Sequence, residues 1–166
     1  MKLLNPMGQL KARVSSGFGM RRGVMHAAID FAAPRGTPVY ASLDGKVIKT
    51  AALNGVGKPD GYGEWHDVTL DNGLRQRVYD GGFDVELEHP NGHWTRYSHL
   101  SECFVEVGET VKAGQLIGKV GTAGTGAHLH FELKRCKGYY SGRGKDLGVN
   151  PLKPNIFTRN LLAVEL

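Results

Sequence analysis

The sequence predicts an all-β fold in which short antiparallel strands form a β-sandwich. Several short stretches alternate apolar and polar residues, and the clearest of them covers residues 83–88. Glycine supplies 24 of the 166 residues without a fixed period, which favours many turns between short strands. Helical periodicity is scarce, so we expect at most one short helix, close to a terminus.

Strand signals predict seven strands, several of which show this alternation. They are expected at residues 37–40, 45–51, 68–70, 83–88, 94–99, 116–120 and 127–133. The dipeptide Asn91-Gly92 between two of them predicts a β-hairpin. Residues 105–118 show a strand, turn, strand pattern typical of barrel-sandwich folds. Carrier domains use a similar turn, but they need a modifiable lysine at its tip, and no such motif is present in the sequence.

The composition fits a single globular domain over residues 1–166, with 40% hydrophobic and 22% charged residues. Lysine and arginine exceed aspartate and glutamate by 21 − 16 = +5, and the pI is about 9.3. This excess favours an anionic partner such as nucleic acid, anionic lipid or bacterial wall polymer, without choosing among them. The sequence has no RNP-like aromatic motif and no clustered basic helix, so we expect no nucleic-acid partner.

Cys103 and Cys136 lie far apart in the sequence and in no CxxC pair, so we expect reduced thiols, with one disulfide as the alternative. No apolar run approaches the ~20 residues of a membrane span. The first residues lack the apolar segment of a secretory signal. We therefore expect synthesis in the cytoplasm without a Sec-type address.

Two histidine motifs carry the chemical information. His26 and Asp30 lie four residues apart, and His128 and His130 lie two apart, so on a strand both imidazoles of the pair share one face. Zinc accepts imidazole nitrogen and carboxylate oxygen, and a catalytic zinc site takes three protein ligands plus water. Two histidines and one aspartate would leave such a site cationic and Lewis acidic. Either motif alone is weak, but together they predict a zinc centre.

The segments around these motifs resemble the lysostaphin-type (LytM-type) zinc metallopeptidases. The resemblance runs in family order over about residues 15–152, and its segments are 16–21, 26–30, 32–41, 45–47, 61–63, 97–100, 107–118, 126–132 and 150–151. It implies a barrel-sandwich-like antiparallel fold with a duplicated hybrid motif and zinc in a groove. It also implies hydrolysis of peptide bonds in bacterial peptidoglycan.

By position, the resemblance makes His26, Asp30 and His130 the zinc ligands, and His128 and His99 the catalytic histidines. The sequence has no HExxH glutamate, so a histidine has to accept the proton of the attacking water. The other histidine can stabilise the oxyanion of the tetrahedral intermediate. We assign the base to His128 and the stabilising role to His99, with the reverse assignment left open.

The chain departs from the family pattern in two places. Ala28 stands where the family commonly has glycine, but both ligands around it remain. Residues 64–82 are expected to form an inserted hairpin that turns at residues 71–73. This hairpin is either a groove wall that sets substrate choice or a tolerated loop. It contains His66 and Asp67, to which we assign no ligand role.

Other polar and aromatic side chains near the motifs are expected to have structural rather than catalytic roles. His89 and His93 flank a turn and are expected to be exposed. Tyr97 precedes His99 by two residues and should share its strand face, in the core or the groove wall. Arg21 matches a frequent family arginine, and an ion pair is expected before a contact with a substrate carboxylate.

The leading hypothesis is a zinc metalloendopeptidase that lyses bacterial cell walls. The alternative is a non-catalytic family member acting as a wall-binding or regulatory module, and the presence of all five site residues argues against it. Because the sequence carries no signal, anchor or separate wall-binding module, we expect a bacteriophage endolysin or a virion-associated lysin, acting on the wall or in the periplasm. Glycine bridges and D-Ala-diaminopimelate links both remain open as the cleaved bond, and the oligomeric state is open, with a monomer as the simplest case.

Overall fold

A computed structural model describes residues 3–51, 64–69, 73, 75–80, 83–122, 126–134 and 148–149. Over these residues the secondary structure consists of strands and turns, without an α-helix, which confirms the all-β prediction. The strands are β1 (Arg13–Ser16), β2 (Gly19–Arg21), β3 (Val24–His26), β4 (Ile29–Ala32), β5 (Pro38–Tyr40), β6 (Gly45–Ala51), β7 (Glu64–Thr69), β8 (Arg75–Asp80), β9 (Phe83–Glu88), β10 (Trp94–Cys103), β11 (Thr110–Val111), β12 (Leu116–Val120), β13 (His128–Lys134) and β14 (Gly148–Val149).

The main sheet is antiparallel and has the strand order β1-β4-β13-β10-β9-β6-β11. The expected strands at residues 45–51, 83–88 and 116–120 have the bounds of β6, β9 and β12 in the structure. The expected hairpin joins β9 to β10, with Glu88 opposite Trp94. Gly92 has φ 78° in its turn, a backbone conformation that favours glycine.

Strand β10 connects two layers of the fold. Its first part pairs with β9 and β13, and its last residues pair with β12, which itself pairs with β5. The change of partner follows a bulge between Tyr97 and Leu100. Strands that change sheets through a bulge form the corners of β-sandwiches.

The hydrophobic core lies between these layers and draws on both of them. Its fully buried members include Val39, Val85, Leu87, Tyr97, Ile117, Val120, Leu129 and Phe131. Alternate residues of a strand point to opposite faces. Burying one face of β9, β10 and β13 in this core therefore turns their polar residues to the other face, where the site lies.

The first four strands were not predicted, because each has only three or four residues, too few to show a clear period of two. Strand β4 is buried at Ile29, Asp30 and Phe31 in succession, because Ile29 and Phe31 face the core and Asp30 faces the site histidines on the other side. In β1 and β2, only Ser16 and Gly19 are not exposed. Neither pattern produces the period of two that reveals a half-buried strand.

The segment of residues 64–82 contains an antiparallel hairpin of β7 and β8, with Trp65 opposite Tyr79. That this hairpin is an insertion stays a prediction, and residues 71 and 72 of its expected turn lie outside the described residues. Cys136 also lies outside them, whereas the thiol of Cys103 is half-buried and donates to the carbonyl of Val105 at 3.2 Å. Among the described residues, no helix has the length and apolarity needed to cross a membrane.

His89 is buried, so the expectation of an exposed turn residue was wrong. Its side chain reaches inward, where Nδ1 donates to the carbonyl of Asp44 and Nε2 is hydrogen-bonded to the hydroxyl of Thr95, both at 2.8 Å. Thr95 is in turn hydrogen-bonded to the hydroxyl of the core residue Tyr97, at 3.1 Å. Burial lowers the pKa of His89.

Candidate metal centre

Strands β4 and β13 bring the two histidine motifs together. They pair antiparallel with His130 opposite Asp30 and His128 opposite Ala32, so all these residues share one sheet face. His26 ends β3 and reaches the same place from the β2–β3 hairpin. The structure therefore gathers His26, Asp30 and His130 into one group of possible metal ligands.

The spacing of the ligand atoms suits a zinc ion. Oδ1 of Asp30 lies 2.9 Å from Nδ1 of His130 and 3.2 Å from Nε2 of His26. All three ligand atoms lie within 4.8 Å of one another. Tetrahedral zinc with bonds of about 2.1 Å separates its ligands by about 3.4 Å, so small adjustments would seat the ion.

The ring of His26 is oriented by the backbone. Its Nδ1 lies 2.8 Å from the carbonyl oxygen of Gly17, which can only accept, so Nδ1 carries the proton. In the neutral ring, Nε2 therefore presents a lone pair to the carboxylate of Asp30. This buried nitrogen makes no hydrogen bond within the described part of the chain. Two acceptors that face each other in this way are stabilised by a cation between them, which is the local requirement of a metal site.

The ring of His130 is held between two carboxylates. Its Nε2 donates to Oε1 of Glu132 at 3.1 Å, while Nδ1 faces Asp30. A carboxylate behind a ligating histidine is a common device for fixing its tautomer. Burial lowers the pKa of His130, but the hydrogen bonds and charges of Asp30 and Glu132 outweigh it and raise the pKa to about 9.

The carboxylates themselves stay ionised. Burial raises the pKa of Asp30, yet its contacts with His130 and His26 lower it by more, and the pKa lies well below its usual range. The pKa of Glu132 is also lowered, because His130 and Arg96 outweigh its burial. Both carboxylates therefore favour a positive charge at this position.

The two remaining histidines stand beside this group. The ring centroids of His99 and His128 are 4.9 Å apart, and those of His99 and His130 are 5.6 Å apart. Nδ1 of His128 lies 2.7 Å from the carbonyl of Gly126, which directs the proton to Nδ1 and leaves a lone pair on Nε2. Burial and then the charges of His130 and His128 lower the pKa of His99 to about 3, so its ring is neutral near pH 7.

His99 and Tyr97 point to opposite faces of the sheet, so the expectation that they share a face was wrong. Tyr97 packs against Phe131 in the core, whereas His99 lies beside His128 and His130. The cause is the backbone of His99, whose φ of 64° is left-handed and interrupts the alternation. A regular strand would have buried His99 in the core.

Behind the centre lies a network of buried charges that the sequence analysis did not find. Arg96 binds Asp84 and also contacts Oε1 of Glu132 at 3.2 Å. Lys134, only 2% exposed, contacts Oε1 of Glu86 at 3.2 Å. The sequence contained part of this information, because alternation in residues 83–88, 94–99 and 127–133 places Asp84, Glu86, Arg96 and Glu132 on the polar faces of their strands. The register was needed to show that they meet.

A groove of about 800 Å³ opens at the centre, and His26, Asp30 and His128 line part of it. Arg21 reaches into it and places a guanidinium nitrogen 3.5 Å from Oδ2 of Asp30, which confirms the expected ion pair.

Fold and site together define a β-sandwich domain with a candidate metal centre at an open groove and two histidines beside that centre. This arrangement is suited to a metallopeptidase. Peptidase family M23 matches residues 24–147, and the chain belongs to this family. The family confirms the lysostaphin-type resemblance seen in the sequence. The individual roles of the five site residues stay predictions.

Known relatives agree with this membership. The chain is 37% identical over 155 residues to the peptidoglycan DD-endopeptidase ShyA of Vibrio cholerae, and the match covers 88% of this chain but 28% of that protein. The catalytic domain of lysostaphin from Staphylococcus simulans has a TM-score of 0.60 and 30% identity, over 85% of this chain and 90% of the other. A zinc-containing peptidase from Vibrio cholerae has a TM-score of 0.62 and 29% identity, over 93% of this chain and 41% of the other.

Proposed function

We propose that this chain is a zinc-dependent endopeptidase that hydrolyses peptide bonds in bacterial peptidoglycan. The observation that carries the proposal is the meeting of His26, Asp30 and His130 in one ligand group with His128 and His99 beside it. The names of the relatives support peptidoglycan as the substrate.

His26 Nε2, Asp30 Oδ1 and His130 Nδ1 would hold the metal. Zinc, when bound, supplies Lewis acidity, which lowers the pKa of a water molecule and polarises the scissile carbonyl. The chain supplies the proton transfers. Nε2 of His128 takes a proton from the attacking water, because Nδ1 is already committed to the carbonyl of Gly126.

His99 is suited to the oxyanion. Its lowered pKa of about 3 keeps the ring neutral near pH 7, and a neutral imidazole retains one N–H group that can donate to the oxyanion. Its buried position next to His128 places this donor beside the base rather than in bulk solvent. The two histidines therefore divide proton transfer and charge stabilisation between them.

Metal content and wall hydrolysis should be measured together on three proteins. We expect about one zinc per wild-type chain and release of muropeptides from purified sacculi. His130→Ala should lose both zinc and hydrolysis, whereas His128→Ala should keep zinc and lose hydrolysis. A wild-type protein without zinc, or equal hydrolysis by His130→Ala, contradicts the proposal. Zinc binding without hydrolysis by the wild type would identify the non-catalytic alternative.

The biological setting is a further part of the proposal: action on the cell wall or in the periplasm, as a bacteriophage endolysin or virion component. Mass spectrometry of purified virions tests it. Presence in the virion identifies a structural lysin, and production during infection without incorporation identifies an endolysin. Synthesis by uninfected cells alone refutes the phage assignment.

A further inference from the structure

Three arginines border the groove beside the candidate metal centre. Arg13, Arg21 and Arg22 line the same space as His26 and His128, and all three are exposed. Among the described residues that line the groove, Asp30 is the single carboxylate. The wall of the groove is therefore strongly cationic next to the histidines.

The sheet fixes the position of Arg13 relative to the reacting groups. Arg13 on β1 stands opposite Ala32 on β4, and Ala32 stands opposite His128 on β13, so the three residues form one row on one face. Neighbouring strands lie about 4.8 Å apart, which puts the backbones of Arg13 and His128 about 10 Å from each other. An extended peptide advances about 3.3 Å per residue, so this distance corresponds to about three residues.

The β2–β3 hairpin fixes the other two arginines. Its two-residue turn consists of Arg22 and Gly23, with φ of 47° and 81°, the positive pair of a type I′ turn. The same hairpin ends at His26. Arg22 therefore sits on a tight turn attached to one of the metal-ligand candidates, and it is held at a defined place on the groove wall.

Two of the three arginines of this wall lack a matching acid among the described residues. Arg21 contacts Asp30, but neither Arg13 nor Arg22 has an ion pair with another described residue. A metal ion bound to Asp30 would compete with Arg21 for the negative charge of this carboxylate. Guanidinium groups bind carboxylates in bidentate pairs, which add both energy and orientation.

We infer that the arginine wall, formed by Arg13, Arg21 and Arg22, is a subsite for a free carboxylate of the substrate peptide within about three residues of the scissile bond. This inference rests on the proposed function and specifies its substrate class. Wall peptides with free carboxylates, such as those containing diaminopimelate, fit the groove. An uncharged glycine bridge leaves the arginines without a partner.

The test compares two cross-linked muropeptides that differ only in amidation of the diaminopimelate carboxylate. Wild type is expected to prefer the free carboxylate by about tenfold in kcat/KM and in calorimetric affinity, which corresponds to about 1.4 kcal/mol. The double variant Arg13→Gln/Arg22→Gln should lose this preference. Arg21 is left unchanged because it contacts a ligand candidate.

Lys112→Gln is the matched control, since it removes one positive charge from an exposed side chain near β11, at the opposite end of the strand order from β1. It should keep the preference. Equal treatment of both peptides by wild type, or a preference that survives in the double variant, overturns the inference. The inference is also overturned if the double variant loses kcat/KM and affinity equally on both peptides.

The two readouts separate this inference from the proposed function. Hydrolysis of both muropeptides without a preference retains the peptidase and rejects the carboxylate subsite. Preferential binding of the free carboxylate without hydrolysis retains the subsite and rejects the peptidase. Failure to bind or cleave either muropeptide rejects both.

Discussion

Asp30 and His130 stand directly opposite each other in strands β4 and β13, with 2.9 Å between Oδ1 and Nδ1. A hundred residues separate them in the sequence. On the far side of the imidazole, Glu132 accepts a hydrogen bond from Nε2. The ring therefore cannot turn without breaking one contact, and the nitrogen that faces the metal position is Nδ1.

Replacing Glu132 by glutamine should weaken zinc binding. The amide oxygen is a weaker acceptor for Nε2–H of His130, and the change also removes a partner of Arg96. We expect the zinc dissociation constant to rise about 10- to 100-fold. Competition with a chromophoric chelator measures it.

Glu102→Gln is the matched control, because Glu102 forms an exposed pair with Lys119 at 3.1 Å. It should leave the zinc affinity unchanged. Thermal unfolding of the metal-free proteins shows whether the Glu132 variant is folded. A folded Glu132→Gln variant with wild-type zinc affinity would mean that Glu132 does not orient His130.

The sequence predicted the parts of the fold where one strand face is buried and the other is polar. Residues 83–88 are such a case, and their bounds agree with β9. Strand β4 was missed because it has only four residues and both of its faces are buried, one in the core and one against the site histidines. His89 was misplaced because its burial depends on the carbonyl of Asp44 and on Thr95, which lie elsewhere in the sequence.

The ligand group was visible in the sequence because its spacings are local, four residues in one motif and two in the other. The conformation of His99 was not. Its left-handed backbone arises where β10 leaves β13 and joins β12, and such a change of partner depends on contacts far along the chain. Arg96 and Glu132 belong to different strands, so their contact also needed the register.

Substitutions at His99 should separate its backbone role from its chemistry. A φ of 64° is tolerated by asparagine but costs a β-branched residue roughly 1–2 kcal/mol or more. We therefore expect His99→Asn to retain stability within about 1 kcal/mol of wild type and His99→Val to lose more. Both variants should lose most wall hydrolysis, because neither supplies an imidazole.

Urea unfolding of the metal-free proteins measures the difference in stability, and muropeptide release measures hydrolysis. Equal free energies of unfolding for the two variants would show that the left-handed backbone does not govern this position. Full hydrolysis by His99→Asn would remove His99 from the proposed mechanism.

Protonation of His89 should destabilise the fold in acid. Nδ1 donates to the carbonyl of Asp44, so Nε2 of the neutral ring has to accept the hydroxyl proton of Thr95. Tyr97 then donates to Thr95 while its oxygen accepts the amide proton of Ser42, and every group in this buried series is satisfied. A proton on Nε2 of His89 removes the acceptor of the Thr95 hydroxyl and therefore disrupts this series of hydrogen bonds.

The direction of this pH effect follows from the lowered pKa of His89. Burial lowers this pKa and the charge of nearby His93 lowers it further, whereas the contact with Asp44 raises it by less. As the pH falls below the unfolded value of 6.5, the unfolded chain takes up a proton that the folded chain does not. Stability is therefore present above pH 6.5 and is lost between this pH and the lower folded pKa. The loss is at most about 1.4 kcal/mol per pH unit.

Denaturant unfolding between pH 8 and pH 5, compared with His89→Gln, isolates this contribution from that of the other histidines. The variant cannot titrate at position 89, so its stability should depend less on pH. Parallel pH profiles for the two proteins would show that His89 is not the responsible group.

Lys134 should be far more important to stability than an exposed lysine in a similar ion pair. It is 2% exposed and lies 3.2 Å from Glu86 and 3.6 Å from Glu132. Lys134→Ala leaves buried carboxylates without this cation, and we expect a loss of about 3–5 kcal/mol in the free energy of unfolding. Lys119→Ala breaks the exposed pair with Glu102 and should cost about 1 kcal/mol or less.

Urea unfolding of both metal-free variants measures this difference in stability, and Lys134→Met tests its cause. If lost packing rather than lost charge is responsible, methionine will restore most of the stability, whereas an uncompensated charge will leave the methionine variant nearly as unstable as the alanine one.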